Sequence, residues 1–197
     1  LQMRLYGSRP FALFRLSVVN VGPDAVNVRR MAIKTRPHGL ETRAEPTGVY
    51  VQGWQSWSPS GFVPRDSRQY QVPFLLRWLQ APMIHNGRAP RRLGPDRYWS
   101  ETVGAVVTPE EALVGGATSL ADQFVQMVVD LRAGHRSVQL QAQLDDLPLG
   151  VGSSCHSEWF YLEWVPLPNR DPFAQYAYAL TRQMDVEGMR PPPTGWC

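Results

Sequence analysis

A chain of 197 residues, 43% hydrophobic and 11% aromatic, has enough apolar surface for a sizeable core in one or two domains. No run reaches the roughly 18 apolar residues of a membrane span, no basic-then-apolar leader opens the sequence, and two cysteines, Cys155 and Cys197, make neither a disulfide framework nor a zinc site. The formal charge of +3 rests on arginine, with Lys34 the single lysine, a skew that reflects genome composition more readily than a polyanionic partner. A reduced, cytoplasmic protein is the default expectation.

In chain order, residues 11–19 and 25–34 read as strands joined by a turn at Asn20, Gly22, Pro23 and Asp24. The stretch Val49 to Gly61 begins as a strand, Val49 and Val51 alternating with Tyr50 and Gln52. Gly53, Pro59 and Gly61 then punctuate a loop that holds Trp54 and Trp57. An indole in such a loop either plugs a gap or meets a ligand, and on the residues alone both readings stand. The ligand reading favours a sugar, whose C–H-rich face stacks on an aromatic ring while its hydroxyls reach neighbours such as Gln55 and Ser56.

Arg88, Arg91, Arg92 and Arg97, followed by Tyr98 and Trp99, have the makings of a nucleic-acid contact. Pro82, Gly87, Pro90, Gly94 and Pro95 describe a solvated loop instead, and no nucleic-acid motif accompanies the charge. Residues 98–108 and 111–119 form a candidate strand pair around Thr108-Pro109-Glu110. Val125, Met127, Val129 and Leu131 alternate with Gln126, Val128 and Asp130. Val138, Leu140, Ala142 and Leu144 alternate with three glutamines, a half-buried antiparallel strand, and Ala133-Gly134-His135 reads as the hairpin loop between the two runs. Residues 156–165 make an aromatic-rich strand. Many strands with short turns predict an all-β, antiparallel β-sandwich.

The pattern changes near Leu167. Asp171 is a candidate N-cap, Pro172 suits the first helical position, and Phe173, Tyr176, Ala177, Leu180 and Met184 share a face at helical spacing. Gly188 and prolines 191–193 end this C-terminal connector helix.

Together, Gly53-Trp54-Gln55-Ser56-Trp57 and Pro193-Thr194-Gly195-Trp196-Cys197 resemble the α-galactosidases of glycoside hydrolase family 36, especially the shorter bacterial type, in residues, order and separation. The resemblance spans the chain in layout and is specific at these two motifs. It implies an N-terminal β-sandwich of the supersandwich kind over residues 1–168, a connector helix and proline spacer over 169–193, and the start of a (β/α)8 catalytic barrel at 194–197. It also implies that the sandwich packs on its own barrel, with Trp57 contacting the galactose of an α-galactoside, Trp54 supporting it, and Trp196 near the pocket floor. Ser58-Pro59-Ser60 departs from the family pattern and alters the rim. A homo-oligomer is compatible with this arrangement.

Catalysis is not expected within these residues. A retaining glycosidase needs two carboxyl groups about 5–5.5 Å apart, and no acid here stands in a family catalytic motif. Asp145 and Asp146, before Leu147-Pro148, read as turn acids. His38, His85, His135 and His156 are dispersed without ligand spacing, so no metal is expected. Cys155-His156 reads as a buried cysteine beside a surface histidine, Gly115-Gly116 lacks the remainder of a phosphate loop, and no cofactor is implied. Two other classes of function remain open: a stand-alone carbohydrate-binding module using Trp54 and Trp57, and a nucleic-acid-binding β domain using Arg91 and Arg92.

Overall fold

The computed structural model describes residues 1–7, 9–35, 42, 44–54, 58–65, 67–69, 93–167 and 170–183. Its strands are β1 (Gln2–Leu5), β2 (Phe11–Arg15), β3 (Ser17–Val19), β4 (Val26–Lys34), β5 (Gly48–Val51), β6 (Gly61–Pro64) and β7 (Arg97–Glu101). There follow β8 (Val103–Val107), β9 (Glu111–Ala117), β10 (Val125–Asp130), β11 (Ser137–Leu149), β12 (Ser154–His156), β13 (Phe160–Pro166) and helix α1 (Ala174–Gln183). A seven-stranded sheet in the order β1-β2-β13-β9-β8-β5-β6 faces a four-stranded sheet β4-β11-β10-β7, with a small β12-β3 pair beside them. Every pairing is antiparallel. The molecule is the all-β antiparallel sandwich with a C-terminal helix that the sequence predicts. Among the described residues no helix is long and apolar enough to cross a membrane.

Period-2 patterning places the inner faces. Val125, Met127 and Val129 from β10 and Val138, Leu140 and Ala142 from β11 meet Val49, Val51, Val106, Leu113 and Phe160 of the larger sheet in one buried cluster. Close approach is possible because the larger sheet carries glycine beneath Met127. A Cβ on Gly104 would lie 3.1 Å from the Met127 sulfur, and one on Gly115 3.3 Å from the same atom. Gly115 and Gly116 are thus packing residues of β9. At Gly116 the neighbour is backbone, the Thr102 carbonyl oxygen at 2.6 Å from a Cβ placed there.

Three predicted strands divide where the chain changes sheet. Residues 11–19 split at Leu16, which donates from its N–H to Ser157 Oγ at 2.9 Å and accepts from the Ser157 N–H at 2.9 Å. Residues 98–108 split at Thr102, whose φ of 62° lies in the left-handed region that a β-branched residue rarely enters. Residues 156–165 split at Ser157 to Trp159, where buried Glu158 accepts from the Asp122 N–H at 2.8 Å and from the Ser119 hydroxyl. Asp145 (φ 52°) and Asp146 (φ 62°) do not end their strand either. They form a bulge inside the 13-residue β11, where the register to β4 shifts between Gln143 and Leu147, with Asp146 3.3 Å from Arg29.

The polar side of β10 and β11 departs from the half-buried expectation. Gln126 is 0% exposed, and Gln141 and Gln143 are buried as well. Gln143 Nε2 donates to Gln126 Oε1 at 2.8 Å. Alternation separates two faces without reporting what covers either of them.

The predicted N-cap is present: Asp171 Oδ1 accepts from the Phe173 N–H at 2.9 Å. The helix does not simply lead away from the sandwich. It lies on the outer face of the seven-stranded sheet, burying Tyr176 and Ala179 over Phe11, Leu13, Val114 and Tyr161, so the fold has three layers. Ala177, predicted on the packed face, is exposed, because the contact strip runs through 176 and 179; Met184 lies outside the described residues. The Tyr176 hydroxyl donates to the Ala117 carbonyl at 2.7 Å, and its ring meets Tyr161 edge-on at 5.3 Å.

Next to that contact, Glu163 is 4% exposed and accepts from the Tyr161 hydroxyl. Burial pushes its carboxyl above the usual range, outweighing the downward pull of the Tyr161 bond and of Arg170. Burial, then Glu163 itself, also pushes the Tyr161 phenol up. A carboxyl whose folded-state pKa is raised stabilises the fold fully below its unfolded value, and that contribution is lost as pH rises through the folded value. Glu163→Gln keeps an acceptor for Tyr161 and cannot ionise. Melting temperatures measured from about pH 4 to about pH 8 should therefore show the variant gaining on the parent as pH rises; parallel curves would contradict the burial of an ionisable group there.

Candidate functional site

Val51 pairs with Gly61, so residues 52–60 are the excursion of a β5–β6 hairpin, and β6 follows the predicted loop at once. The root of this loop is closed by short contacts. Gly53 N–H donates to Ser60 Oγ at 2.8 Å. A Cβ on Gly53 would lie 2.4 Å from Ser58 Cβ and 2.7 Å from the Ser58 carbonyl oxygen, so only glycine permits the approach. Across the sandwich, the Gln52 N–H donates to Ser100 Oγ at 2.7 Å and the Glu101 N–H donates to the Gln52 carbonyl at 2.9 Å. These bonds tie the hairpin to β7, so the loop root bridges the open side between the edge strands β6 and β7.

There lies a half-open pocket of about 150 Å³. Its lining includes Trp54, Phe62, Gln52, Gln69, Trp99 and Glu101, with Ser58 and Ser60 at the loop root. Trp54 is half-buried and meets Phe124 edge-on, with centroids 4.7 Å apart and rings at 79°, while Phe124 is itself 53% exposed. Trp54 is thus held from outside the core. Trp57 and Trp196, the other two predicted sugar contacts, lie outside the described residues.

Trp99 and Glu101 were not legible as site residues. Both sit on the outer face of β7, 7% and 4% exposed, and the indole N–H of Trp99 donates to Glu101 Oε1 at 2.7 Å. Gln69 fixes this edge, accepting from the Trp99 N–H at 2.8 Å and donating to its carbonyl at 2.6 Å, as a neighbouring strand would. A two-residue spacing on a strand was the available signal; it was hidden because Trp99 follows the arginine run.

The two aromatics that follow the arginine run are buried. Tyr98 is in the core and Trp99 is buried. Arg97 lies 4.0 Å from Asp130, which Arg132 also holds at 2.6 Å, and Arg88, Arg91 and Arg92 lie outside the described residues. Burial pushes the Asp130 carboxyl up, but bonds from Arg132 and the charges of Arg132 and Arg97 bring it below the usual range. Glu45 is likewise held down by bonds from Arg136 and Arg65. Arg65 reaches Asp96 at 3.6 Å as well.

Cys155 is half-buried rather than buried, with its thiol pushed up by burial, and exposed His156 is bonded through Nδ1 to Ser17 Oγ at 2.8 Å. Among the described residues no three histidine, cysteine or carboxylate side chains gather as metal ligands. Among the described residues lining the cavity, Glu101 is the one carboxylate. The described lining thus combines two indoles and a phenyl ring with the amides of Gln52 and Gln69, two serine hydroxyls and one carboxyl group.

No protein-family model matches the chain, and no curated protein matches it. Among solved structures it is similar to an α-galactosidase from Thermus thermophilus in complex with p-nitrophenyl α-D-galactopyranoside, at 18% identity and a TM-score of 0.45, over 85% of this chain and 29% of that one. It is similar also to the same enzyme in complex with stachyose, at 18% identity and a TM-score of 0.46, over 86% of this chain and 30% of that one. The chain thus spans less than a third of the length of these structures.

The closed loop root has a measurable consequence. Gly53→Ala puts a methyl group against the Ser58 backbone, which cannot yield without opening the loop. Urea denaturation should show a loss of about 1–3 kcal/mol, the usual cost of overpacking, with a change in tryptophan fluorescence at low urea. A variant as stable as the parent would mean that the root is not closed in solution.

Proposed function

We propose that this chain is the non-catalytic N-terminal domain of an α-galactosidase-like retaining glycoside hydrolase. In this reading residues 1–168 are the sandwich, 169–193 connect it to the catalytic barrel on which it packs, and 194–197 begin the first barrel strand. Trp57 contacts the galactose of an α-galactoside, Trp54 holds the loop in place, and Trp196 lies near the floor of the same pocket. The observation that carries the reading is the order and separation of the two tryptophan motifs, the first of them on a hairpin loop. Its support is that the root of that loop walls a cavity with the mixed apolar and polar lining a sugar requires. The same cavity is compatible with a second reading, a stand-alone carbohydrate-binding module that uses Trp54 and Trp57.

Two measurements bear on the first reading. Purified chain should not turn over p-nitrophenyl α-galactoside, since the paired carboxylates would come from the barrel; turnover that survives removal of contaminants would defeat the assignment. In the full-length enzyme, Trp57→Ala should lower kcat/KM about ten- to a thousandfold, or about 1.4–4 kcal/mol of transition-state binding, and leave the melting temperature nearly unchanged. Trp54→Ala should show the larger loss of stability, because its ring packs on Phe124. If Trp57→Ala melts many degrees lower and turns over normally once folded, Trp57 is a packing residue and the reading fails.

A further inference from the structure

We propose that the edge strand β4, with the inner face of β1 beside it, is a docking site for an extended acidic segment of a second polypeptide. The segment adds to the four-stranded sheet as a fifth strand. Its residues alternate between apolar, facing the sandwich, and acidic, facing outward. This surface belongs to the sheet edges opposite β6 and β7, so it is separate from the tryptophan loop.

The unequal sheets leave an apolar shelf at this end. Phe14 of β2 and Leu162 of β13 line a half-open cavity of about 150 Å³ together with Ile33 of β4 and Leu140 of β11. The last strand of the smaller sheet therefore lies over β2 and β13, and β1 projects beyond it. Met3 pairs with Phe14 and Leu5 with Ala12, so Met3 and Leu5 point to the same inner side as Phe14. They are 59% and 68% exposed. Arg4, on the other face, stacks on Trp159 at 4.1 Å. A strand set about 4.8 Å beyond β4 covers the two exposed side chains and closes the mouth of the cavity.

Among the described strands, β4 pairs with β11 on one side and with none on the other. The backbone groups of an open edge are the template for strand addition. Met31 and Ile33 pair with buried Ala142 and Leu140 and face inward, so Arg30, Ala32 and Lys34 face outward. Arg30 and Lys34 are exposed, and neither has a carboxylate partner among the described residues. Opposite charges on neighbouring strands stabilise a pairing and like charges oppose it. The outward positions of an added strand therefore select acids, and the inward positions select apolar side chains. A second copy of this chain is disfavoured, because a two-fold pairing of β4 with itself brings the basic side chains of one copy beside those of the other.

The test uses the 197-residue chain and two blocked synthetic peptides, one alternating glutamate with valine and the other lysine with valine. Binding is read by the fluorescence anisotropy of labelled peptide, and its place by amide exchange along β4. The glutamate peptide should bind saturably, protect the edge amides of β4 and weaken with added salt. The lysine peptide should bind about tenfold more weakly or worse. The double variant Arg30→Glu, Lys34→Glu should reverse that preference and melt near the parent, since both side chains are exposed. Met3→Asn should weaken the glutamate peptide about threefold or more and leave the preference as it is. No saturable binding of the glutamate peptide, equal binding of the two peptides, or an unchanged preference in the folded double variant would overturn the proposal. A dimer of the chain through β4 would overturn it too, as would a monomer whose β4 edge amides are protected before peptide is added, because the edge then has another occupant. Should the double variant not fold, Met3→Asn and the two peptides on the parent chain decide.

Discussion

At Thr102 the chain passes from one sheet to the other, and much of the architecture follows from that single left-handed residue. Its N–H donates to the Val125 carbonyl at 2.8 Å and its carbonyl accepts from the Ala117 N–H at 2.9 Å, so β10 and β9 hold the corner from opposite sheets. On the N-terminal side the corner fixes the pleat of β7, sending Tyr98 and Ser100 inward and Trp99 and Glu101 outward. On the C-terminal side it places Gly104 beneath Met127. A β-branched residue at φ 62° is strained. The two backbone bonds and the packing on either side hold it there.

The candidate site is a by-product of the same construction. A sandwich with seven strands on one side and four on the other must leave edges, and β6 and β7 are edge strands of different sheets. Unpaired edges invite foreign strands. Here the β5–β6 loop root lies between them, and the amide of Gln69 occupies the hydrogen-bonding groups of Trp99. What remains is a small concave space with an indole on one wall and a carboxylate on another.

The helix supplies the third layer for a related reason. The outer face of the larger sheet carries Phe11, Leu13, Val114 and Tyr161, a surface too apolar to leave in water. Tyr176 covers it and finds a carbonyl partner at Ala117, as a buried phenol must. Glu163 is the exception in this apolar layer, and burial there pushes its carboxyl above the usual range.

Local physics was readable from the residues alone. The alternation in 125–131 and 138–144 gave the strands and their inner face, and Ala133-Gly134-His135 gave the hairpin. Asp171 gave the helix start, and Gly53 marked the onset of the tryptophan loop. Each of these depends on neighbours a few residues away. Sheet membership does not, and so 98–108 read as one strand where there are two, and the arginine run claimed Trp99. Burial of Gln126 escaped notice because a period of two separates faces without saying what lies over them. The meeting of Gln52, Gln69 and Glu101 around Trp54 was decided by tertiary structure alone. It depends on which edges the two sheets expose and on the register that brings β5 beside β7, and no local sequence pattern encodes contacts between residues so far apart in the chain.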